Sequence, residues 1–392
     1  MVGAIANVTP IHETPSQEGK LLGYLHAGAT VARAHEPYSR EGCSEGWYPV
    51  RPRGFVCVGA TATLDTEHPT MVAMSLRPDP GDPLPYTYAR TTLPTTLLDR
   101  DPERADGVRA SLPVPRWSGL AVVGSWSAFD SEGRRLRLGM TTRGQFIEAE
   151  ALKPAEPSAF AGIALAEPER TLPFAFVVKR GVHSFKLDDE NRATRSRELD
   201  YHEHVPLTGR FRTLGETRYW AAANDNWVRH DDVTIVRRRN VYPEFAKDSR
   251  KWIDISIVTG TAVLYEGQKP VFATLVSVGQ DRLMDPQEGA STVQGTFQVV
   301  GKHLTSADHD PSAFIDGVLL FDVPWVVELS SGQLLHGSYS HDRFGIEHGP
   351  GNVQLSPADA RSVWSWVDPE LPEGWHGVLG SGDAPTLVHV RK

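Results

Sequence analysis

The stretch Leu335–Trp366, "LHGSYSHDRFGIEHGPGNVQLSPADARSVWSW", decides the fold of the C-terminal part of this 392-residue chain. Its end, "SPADARSVWSW", predicts a short helix, because Ser356 suits an N-cap, Pro357 suits the first helical position and Asp359 complements the helix dipole. The stretch follows the apolar run "GVLLFDVPWVVELSSGQLL", which predicts a pair of strands around a tight turn. The sequence therefore predicts strands, a polar loop and a helix in that order.

The residues on both sides of this stretch also predict strands. "KWIDISIVTGTAVLYEGQKPVFATLVSVGQ", from Lys251, contains two β-type runs joined by the turn "YEGQKP". "STVQGTFQVVGKHL" predicts another strand, and "APTLVHVRK" predicts the last one. No sustained helical period appears elsewhere, and the 29 prolines and 35 glycines favour short strands and turns. The predicted fold class is mainly β with a short helix.

On these runs, and on "DVPWVVELSSGQLLHGSYSHDRFG" and "VQLSPADARSVWSWVDPELPEGWHGV", residues 250–392 resemble the L,D-transpeptidase catalytic domain of the YkuD type. The resemblance implies a mixed β-sandwich. It also implies enzymes that cross-link peptidoglycan stem peptides, or attach proteins to them, through a cysteine thiolate and an acyl-enzyme. "TVQGTF" departs from the family's Thr-Pro-x-Gly-x-Phe but keeps Gly295 and Phe297, which preserves the turn and the core position.

The family signature has two halves, and only the first is intact here. The first half is His-Gly on a strand, present as His336-Gly337 and followed by Ser338, Tyr339 and His341. The second is Ser/Thr-His-Gly-Cys, an apolar residue, and Asn or Arg. Anchored on "LSPADA", this second half aligns with the following residues: Gly349, Pro350, Gly351, Asn352, Val353 and Gln354. The nucleophile position is thus Asn352, and the second histidine is replaced by proline.

A carboxamide cannot replace a thiolate, because its nitrogen is delocalised into the carbonyl and an imidazole cannot activate it. Moving the alignment to "EHG" places His348 at the histidine but Pro350 at the cysteine, so the nucleophile is still missing. A serine hydrolase is the other alternative, with Ser338, Ser340 or Ser356 as nucleophile and His336 or His341 as base. The sequence favours a pseudoenzyme without catalytic residues over both.

A metal site is a further alternative, since His336, His341, Asp342, Glu347 and His348 lie close together in sequence. Their spacing is not a zinc pattern, so we expect neither a metal nor a cofactor. The tryptophans Trp325, Trp364, Trp366 and Trp375 are expected to pack in the core and at its edge.

The N-terminal part predicts three small β units, of which residues 1–62 form the first. "PIHETPSQEGKLLGYLHAGATV", "GWYPV" and "GFVCV" resemble the bacterial Src-homology-3-type barrel, which commonly binds wall peptides or glycans or serves as a spacer. Residues 80–155 and 168–240 repeat the pattern more loosely, each ending in an aromatic hairpin. Their inserts "DRDPERADGVRASLPVPRW" and "KLDDENRATRSRELDYHEH" are expected to be exposed loops. The sandwich domain is expected over 248–392, after a linker. Trp47, Tyr48 and Phe55 either fill the first barrel or line a groove in it.

Composition excludes some partners and leaves others open. The net charge of −9 argues against nucleic acid, and no apolar run reaches the length of a membrane span. The first residues lack the features of a signal peptide. The only two cysteines, Cys43 and Cys57, suit either a disulfide or two small buried residues.

We therefore predict a pseudoenzyme of the cell envelope or periplasm. Its expected partner is a peptidoglycan stem peptide or glycan, or an envelope protein, held in a cleft that His336, Tyr339 and His341 line. Asn352 and Gln354 would offer it neutral hydrogen bonds. An active transpeptidase with a displaced nucleophile and a purely structural scaffold remain the alternatives.

Overall fold

A computed structural model describes residues 1–74, 82–104, 107–130, 132–165, 172–190, 192–279, 291–306, 319–348, 351–382 and 384–392. Strands dominate these residues, as the sequence predicts, and the longest helix is the one predicted after Ser356. No helix in the described ranges is long and apolar enough to cross a bilayer.

The first unit is a set of short strands followed by one helical turn. Its elements are β1 (Val2–Ala4), β2 (Thr9–His12), β3 (Leu21–Leu25), β4 (Thr30–Val31), β5 (Gly46–Pro49), β6 (Phe55–Val58), β7 (Ala62–Thr63) and α1 (Pro69–Ala73). β6 pairs with β5 and β2, and β2 pairs with β3, while β1 pairs with β4 and β7. Trp47 and Tyr48 are buried, which supports the core interpretation of these aromatics. The Src-homology-3-type assignment stays a prediction.

The second and third units have the same topology. The second contains β8 (Thr87–Thr91), β9 (Thr95–Arg100), β10 (Val108–Val114), β11 (Gly119–Phe129), β12 (Arg135–Thr141), β13 (Phe146–Glu148) and β14 (Leu152–Pro154). The third contains β16 (Phe174–Val177), β17 (Val182–Leu187), β18 (Ala193–Leu199), β19 (His204–Leu214), β20 (Thr217–Ala222), β21 (Trp227–Arg229) and β22 (Val233–Val236). Their strand orders, β10-β9-β13-β12-β11-β8-β14 and β18-β17-β21-β20-β19-β16-β22, correspond strand for strand. Each unit also has a 3-10 turn before its last strand. This correspondence supports the internal repeat that the sequence indicates.

The two long inserts are exposed, as expected, but they are not loops. They contain the edge strands β10 and β18, which pair antiparallel with β9 and β17. Most residues of both strands are exposed. Because neither strand has a buried face, apolar and polar residues do not alternate along it. Charged side chains are common on edge strands that face water. The missing alternation is why the sequence did not reveal them.

The C-terminal region is a mixed β structure with one helix. Its strands are β23 (Lys251–Ser256), β24 (Thr261–Glu266), β25 (Lys269–Leu275), β26 (Gly295–Ser306), β27 (Val323–Leu329), β28 (Leu334–Gly337), β29 (Val353–Leu355), β30 (Gly377–Leu379) and β31 (Leu387–Arg391). β23 pairs in parallel with β31, and β28 with β29, while the other pairings are antiparallel. The long strand β26 pairs with β31 at its start and with β27 and β30 at its end. Helix α2 (Pro357–Trp366) packs on β27 and β28, over a core that includes Trp325 and Trp364.

The small units are joined to this region by strand pairing and by shared cores. β3 pairs with β30, and the connecting strand β15 (Ile163–Ala164) pairs with β25. The first unit packs around Trp375 of the C-terminal region, and the second packs Tyr88 against Tyr339. The third unit shares a core with Trp252. These contacts place all three units around the C-terminal strands that carry the predicted site.

Candidate functional site

The predicted motif lies on two parallel strands. His336 is on β28 and Gln354 on β29, and the two residues are register partners. The backbone of Gln354 also exchanges two hydrogen bonds with Ser277, at 2.8 and 2.9 Å. Asn352 immediately precedes β29. The fold therefore brings the two halves of the signature side by side, although 15 residues separate His336 from Asn352 in the chain.

Asn352 is buried, and its side chain is engaged with the backbone. Its Oδ1 atom accepts a hydrogen bond from the backbone N–H of Leu334, at 2.9 Å. The carbonyl of the preceding Gly351 accepts a hydrogen bond from the Gln333 side chain. Two contacts thus tie the loop before β29 to the β27–β28 turn. Gly349 and Pro350, which align with the family's hydroxyl residue and second histidine, lie outside the described residues.

His336 is 1% exposed and has a defined tautomer. Its Nδ1 atom lies 3.0 Å from the carbonyl of Gly337, which can only accept, so Nδ1 carries the proton. Gly337 is also buried: a Cβ atom there would lie 3.0 Å from Pro324 and 3.2 Å from Ala360 of α2. Packing against the helix is a structural reason for glycine at this position.

Side-chain contacts continue from β29 to the segment between β28 and β29. The Nε2 atom of His341 lies 2.5 Å from Oε1 of Gln354, and its ring meets the edge of His348 with 4.2 Å between centroids. Burial lowers the pKa of His341 to about 4, and the hydrogen bond to Gln354 only partly opposes this shift. His341 is therefore neutral near pH 7. The hydrogen-bond partner of His341 Nε2 is thus a neutral amide and not a carboxylate.

Tyr339 points to the second unit. Its hydroxyl donates to the carbonyl of Asp322 at 2.8 Å, and its ring packs on Tyr88 with 4.6 Å between centroids. Arg90 donates to the carbonyl of Ser340 at 3.2 Å. The hydroxyl groups of Ser338 and Ser340 lie 3.2 Å apart. Tyr339 thus joins the motif loop to a neighbouring unit, a role that the sequence does not indicate.

Neither alternative chemistry has its geometry among the described residues. Ser356 is buried and accepts the backbone N–H of Asp359 at 3.2 Å, which is the predicted helix cap. The hydroxyl of Ser338 lies beside that of Ser340, and within the described ranges no hydrogen bond joins it to a histidine. In the described ranges no group of three His, Cys, Asp or Glu side chains is arranged to hold a metal ion.

Asp359 has a second role that sequence reasoning missed. It is 1% exposed, and its carboxylate accepts hydrogen bonds from the backbone N–H of Gly162 at 2.7 Å and the hydroxyl of Thr274 at 2.5 Å. Burial raises the pKa of this carboxyl group to about 6, against the effect of these hydrogen bonds. The residue links α2 to the connector that carries β15. Its partners are distant in sequence, so no local pattern could reveal them.

Cys43 and Cys57 form a disulfide, with 5.7 Å between their Cα atoms. This answers the question that their spacing left open. They are the only cysteines of the chain, so the disulfide leaves no free thiol.

Comparison with known proteins agrees with the sequence resemblance. Residues 250–386 match the YkuD family, described as the L,D-transpeptidase catalytic domain. No curated protein matches the chain. Similar solved structures include an L,D-transpeptidase from Xylanimonas cellulosilytica, 18% identical over 39% of this chain and 65% of that one, with a TM-score of 0.28. One from Enterococcus faecium is 16% identical over 37% and 50%, with a TM-score of 0.28.

The L,D-transpeptidase of Mycobacterium smegmatis is 15% identical over 62% of this chain and 89% of its own length, with a TM-score of 0.28. The chain spans 65% and 50% of the Xylanimonas and Enterococcus structures. The family match covers the strands and helix that carry His336, Asn352 and Asp359. Over residues 250–386, therefore, the chain has an L,D-transpeptidase-type domain, surrounded by strand units that the match does not include.

Proposed function

We propose that this protein is a non-catalytic member of the cell-wall machinery, which binds peptidoglycan, or an envelope protein attached to it, through its L,D-transpeptidase-type domain. The observation that carries the proposal is the state of Asn352. The residue at the nucleophile position is a buried carboxamide, and its oxygen is already used by the backbone N–H of Leu334.

The chemistry of acyl transfer supports the same conclusion. A thiolate attacks an amide carbonyl after a neighbouring base removes its proton. Here the amide of Asn352 has no such proton transfer available, and the only two sulfhydryl residues of the chain are joined in a disulfide in the first unit. His336 is retained, but no thiol exists for it to deprotonate.

Binding requires accessible polar groups rather than a nucleophile. Ser340 and His341, next to the retained His-Gly, are partly exposed. They offer neutral hydrogen-bonding groups beside the buried Asn352 and Gln354, suited to the amides of a stem peptide or the N-acetyl groups of a glycan. The disulfide is consistent with an oxidising compartment such as the periplasm or the envelope.

Sedimentation with purified sacculi tests the proposal. We expect the full chain to sediment with sacculi, and Ser340→Tyr, which places a bulky ring on this surface, to reduce the bound fraction several-fold. Ser365→Tyr, on the exposed side of α2, is the matched control and should bind as the unchanged protein does. Equal binding of all three proteins would contradict a site at the motif.

Incubation with a carbapenem, followed by intact-mass measurement, tests the absence of catalysis. We expect no mass increase. A covalent adduct would overturn the proposal in favour of an active enzyme with a displaced nucleophile.

A structural scaffold is the second candidate, and one observation favours it. His336, Tyr339, Asn352 and Gln354 are each less than a tenth exposed, and Tyr339 is used to hold the second unit. A chain whose motif serves only packing would leave sacculi unbound, and Tyr339→Phe would weaken attachment of the second unit. Failure of all sacculus binding would therefore favour the scaffold over the binding domain.

A further inference from the structure

Five rings meet where the first unit, the second unit and the C-terminal region join. Tyr24 and His26 come from the first unit, Tyr86 comes from the second, and His303 and His376 come from the C-terminal region. His376 is at the centre of this junction cluster. Its ring centroid lies 4.6 Å from that of His26, in a stacked arrangement, 5.6 Å from that of Tyr24 and 6.1 Å from that of Tyr86. One histidine thus contacts rings from both neighbouring units.

His376 is a buried and neutral ring, only 3% exposed. Burial lowers its pKa well below the ordinary value, and the nearby rings of His26 and His303 lower it further. In the neutral ring, Nε2 donates to the carbonyl of Thr305 at 3.3 Å, and Nδ1 accepts from the hydroxyl of Tyr86 at 3.4 Å. A second proton would place a full charge in this buried site and remove the acceptor of the Tyr86 hydroxyl.

His26 is buried in the same way. Burial lowers its pKa, and hydrogen bonds to the backbone of Thr142 and Ala27 oppose only part of this shift. Thr142 belongs to the second unit, so His26 contacts that unit as well as His376. Because the two histidine rings are stacked, a proton on either one makes a proton on the other less favourable. His26 and His376 thus form a histidine pair that is neutral while the junction is closed.

A carboxylate faces the third histidine of the cluster but not the pair. The Oε2 atom of Glu328 lies 3.6 Å from Nε2 of His303, whose Nδ1 atom lies 3.0 Å from the hydroxyl of Tyr24. Glu328 can therefore compensate a positive charge on His303. Among the residues that the structure describes, no carboxylate forms an ion pair with His26 or His376. A charge on the histidine pair would have no such compensation.

The other charged groups around the pair are either engaged or exposed. The carboxylate of Asp322, near Tyr86, is buried and accepts the backbone N–H of Ala121 and the hydroxyl of Thr142. The pair also lines a cavity of about 1170 Å³, which is bordered by four exposed charged side chains: Arg51, Arg53, Glu370 and Glu373. These charges balance in sign, so they favour neither protonation state strongly. The cavity gives solvent a short path to the pair.

We propose that the histidine pair is a pH-sensitive lock, which holds the first unit against the second unit and the C-terminal region and releases it when the pair takes up protons. His26 follows β3 and His376 precedes β30, and these two strands pair with each other across the junction. In an open junction both rings lie in water and bind protons near their ordinary pKa of 6.5. The closed junction is therefore favoured above pH 6.5, and it loses this advantage as pH falls below that value.

Amide hydrogen exchange of the full chain at pH 7.5 and pH 5.0, corrected for the intrinsic effect of pH on exchange, tests the lock. We expect the opening equilibrium of the β3 and β30 amides to rise by up to about thirtyfold for each histidine of the pair, since pH 5.0 lies about 1.5 units below the ordinary pKa. His26→Gln with His376→Gln should lose most of this rise, because glutamine offers a donor and an acceptor but does not titrate. His35→Gln, at an exposed position of the first unit, is the matched control and should respond as the unchanged protein does.

Three results would overturn the lock. The first needs no variant: equal protection of the β3 and β30 amides at both pH values in the unchanged protein. The second is a full pH response in the double glutamine variant, with circular dichroism at pH 7.5 showing that it is folded. The third is a parallel loss of protection in β3, β30 and β24, which would assign the acid effect to unfolding of the whole chain. A loss in β3 and β30 that clearly exceeds the loss in β24 is the expected result.

Discussion

The Oδ1 atom of Asn352 accepts a hydrogen bond from the backbone N–H of Leu334 at 2.9 Å, so the residue predicted to occupy the nucleophile position is bonded to the strand that carries His336. A nucleophile must present its reactive atom to the substrate. This side chain instead holds β28 close to the segment that leads into β29. The contact serves the packing of two parallel strands.

The first prediction concerns this bond. Asn352→Ala removes the acceptor of a buried backbone N–H, so we expect the free energy of unfolding to fall by about 1–3 kcal/mol. Urea denaturation at pH 7 measures the change. Asn240→Ala, at an exposed position, is the control and should change stability by less than about 0.5 kcal/mol. Equal effects of the two substitutions would show that the Asn352 side chain contributes nothing to strand packing.

The second prediction concerns the disulfide. Denatured but unreduced protein should react with no thiol reagent, and reduction should release two reactive groups, counted by intact mass. Replacing Cys43 and Cys57 by serine should lower stability by about 3 kcal/mol, because the disulfide removes that much conformational freedom from an unfolded chain with a loop of this length. Sacculus binding should persist in this variant if the motif is the binding site. Reactive thiols in the unreduced protein would remove one support for the proposed compartment.

Sequence reasoning succeeded where the signal was local or came from family resemblance. The cap at Ser356, the helix after it and the His-Gly strand follow from short patterns that the structure contains. The repeated order of β8–β14 and β16–β22 also follows from a pattern, because both units end in an aromatic hairpin. These features depend on residues that are close in sequence or on spacing that repeats.

The features that sequence reasoning missed depend on contacts between distant segments. Asp359 was assigned only to the helix dipole, whereas it also bonds Gly162, almost 200 residues earlier. Tyr339 was predicted to line a cleft, which stays a prediction, and its additional contacts with Asp322 and the second unit were not foreseen. The edge strands β10 and β18 were interpreted as loops, because strands exposed on both faces do not alternate. None of these contacts has a signature in its own neighbourhood.

The third prediction concerns His341, whose pKa is lowered to about 4 by burial, from an ordinary value of 6.5. The unfolded chain binds this proton first on acidification, so the stability contributed by the neutral ring is present above pH 6.5 and is lost as pH falls towards 4. The loss amounts to about 3 kcal/mol. His341→Gln should remove that part of the acid dependence.

Urea denaturation at pH 7 and pH 4.5 measures this difference, and His35→Gln, at an exposed position, is the control. Other histidines, including the partly buried His202, also have lowered pKa values, so the variant should keep part of the acid slope. If His341→Gln kept the full dependence of stability on acid pH, the ring of His341 would take up its proton as readily in the folded protein as in the unfolded chain.

The fourth prediction concerns Asp359, whose pKa burial raises to about 6 from an ordinary value of 3.8. Because the folded state holds this proton more tightly, stability falls as pH rises from about 4 to about 6, by roughly 3 kcal/mol, and then stays level. This slope is opposite to that of His341, so the two partly cancel in the unchanged protein. The two pH effects can be separated only in variants that lack one of the two groups.

Asp359→Asn keeps an oxygen for the Gly162 N–H and an amide group near Thr274, and it cannot ionise. We expect the variant to lose stability more steeply than the unchanged protein as pH falls from 6 to 4, and to be at least as stable at pH 7.5. Asp359→Ala, which removes both hydrogen bonds, should be less stable at both values. Denaturation of the three proteins at pH 4.5 and 7.5 gives the comparison. Parallel pH profiles of Asp359→Asn and the unchanged protein would show that the carboxyl group is already ionised at pH 4.5 in the fold.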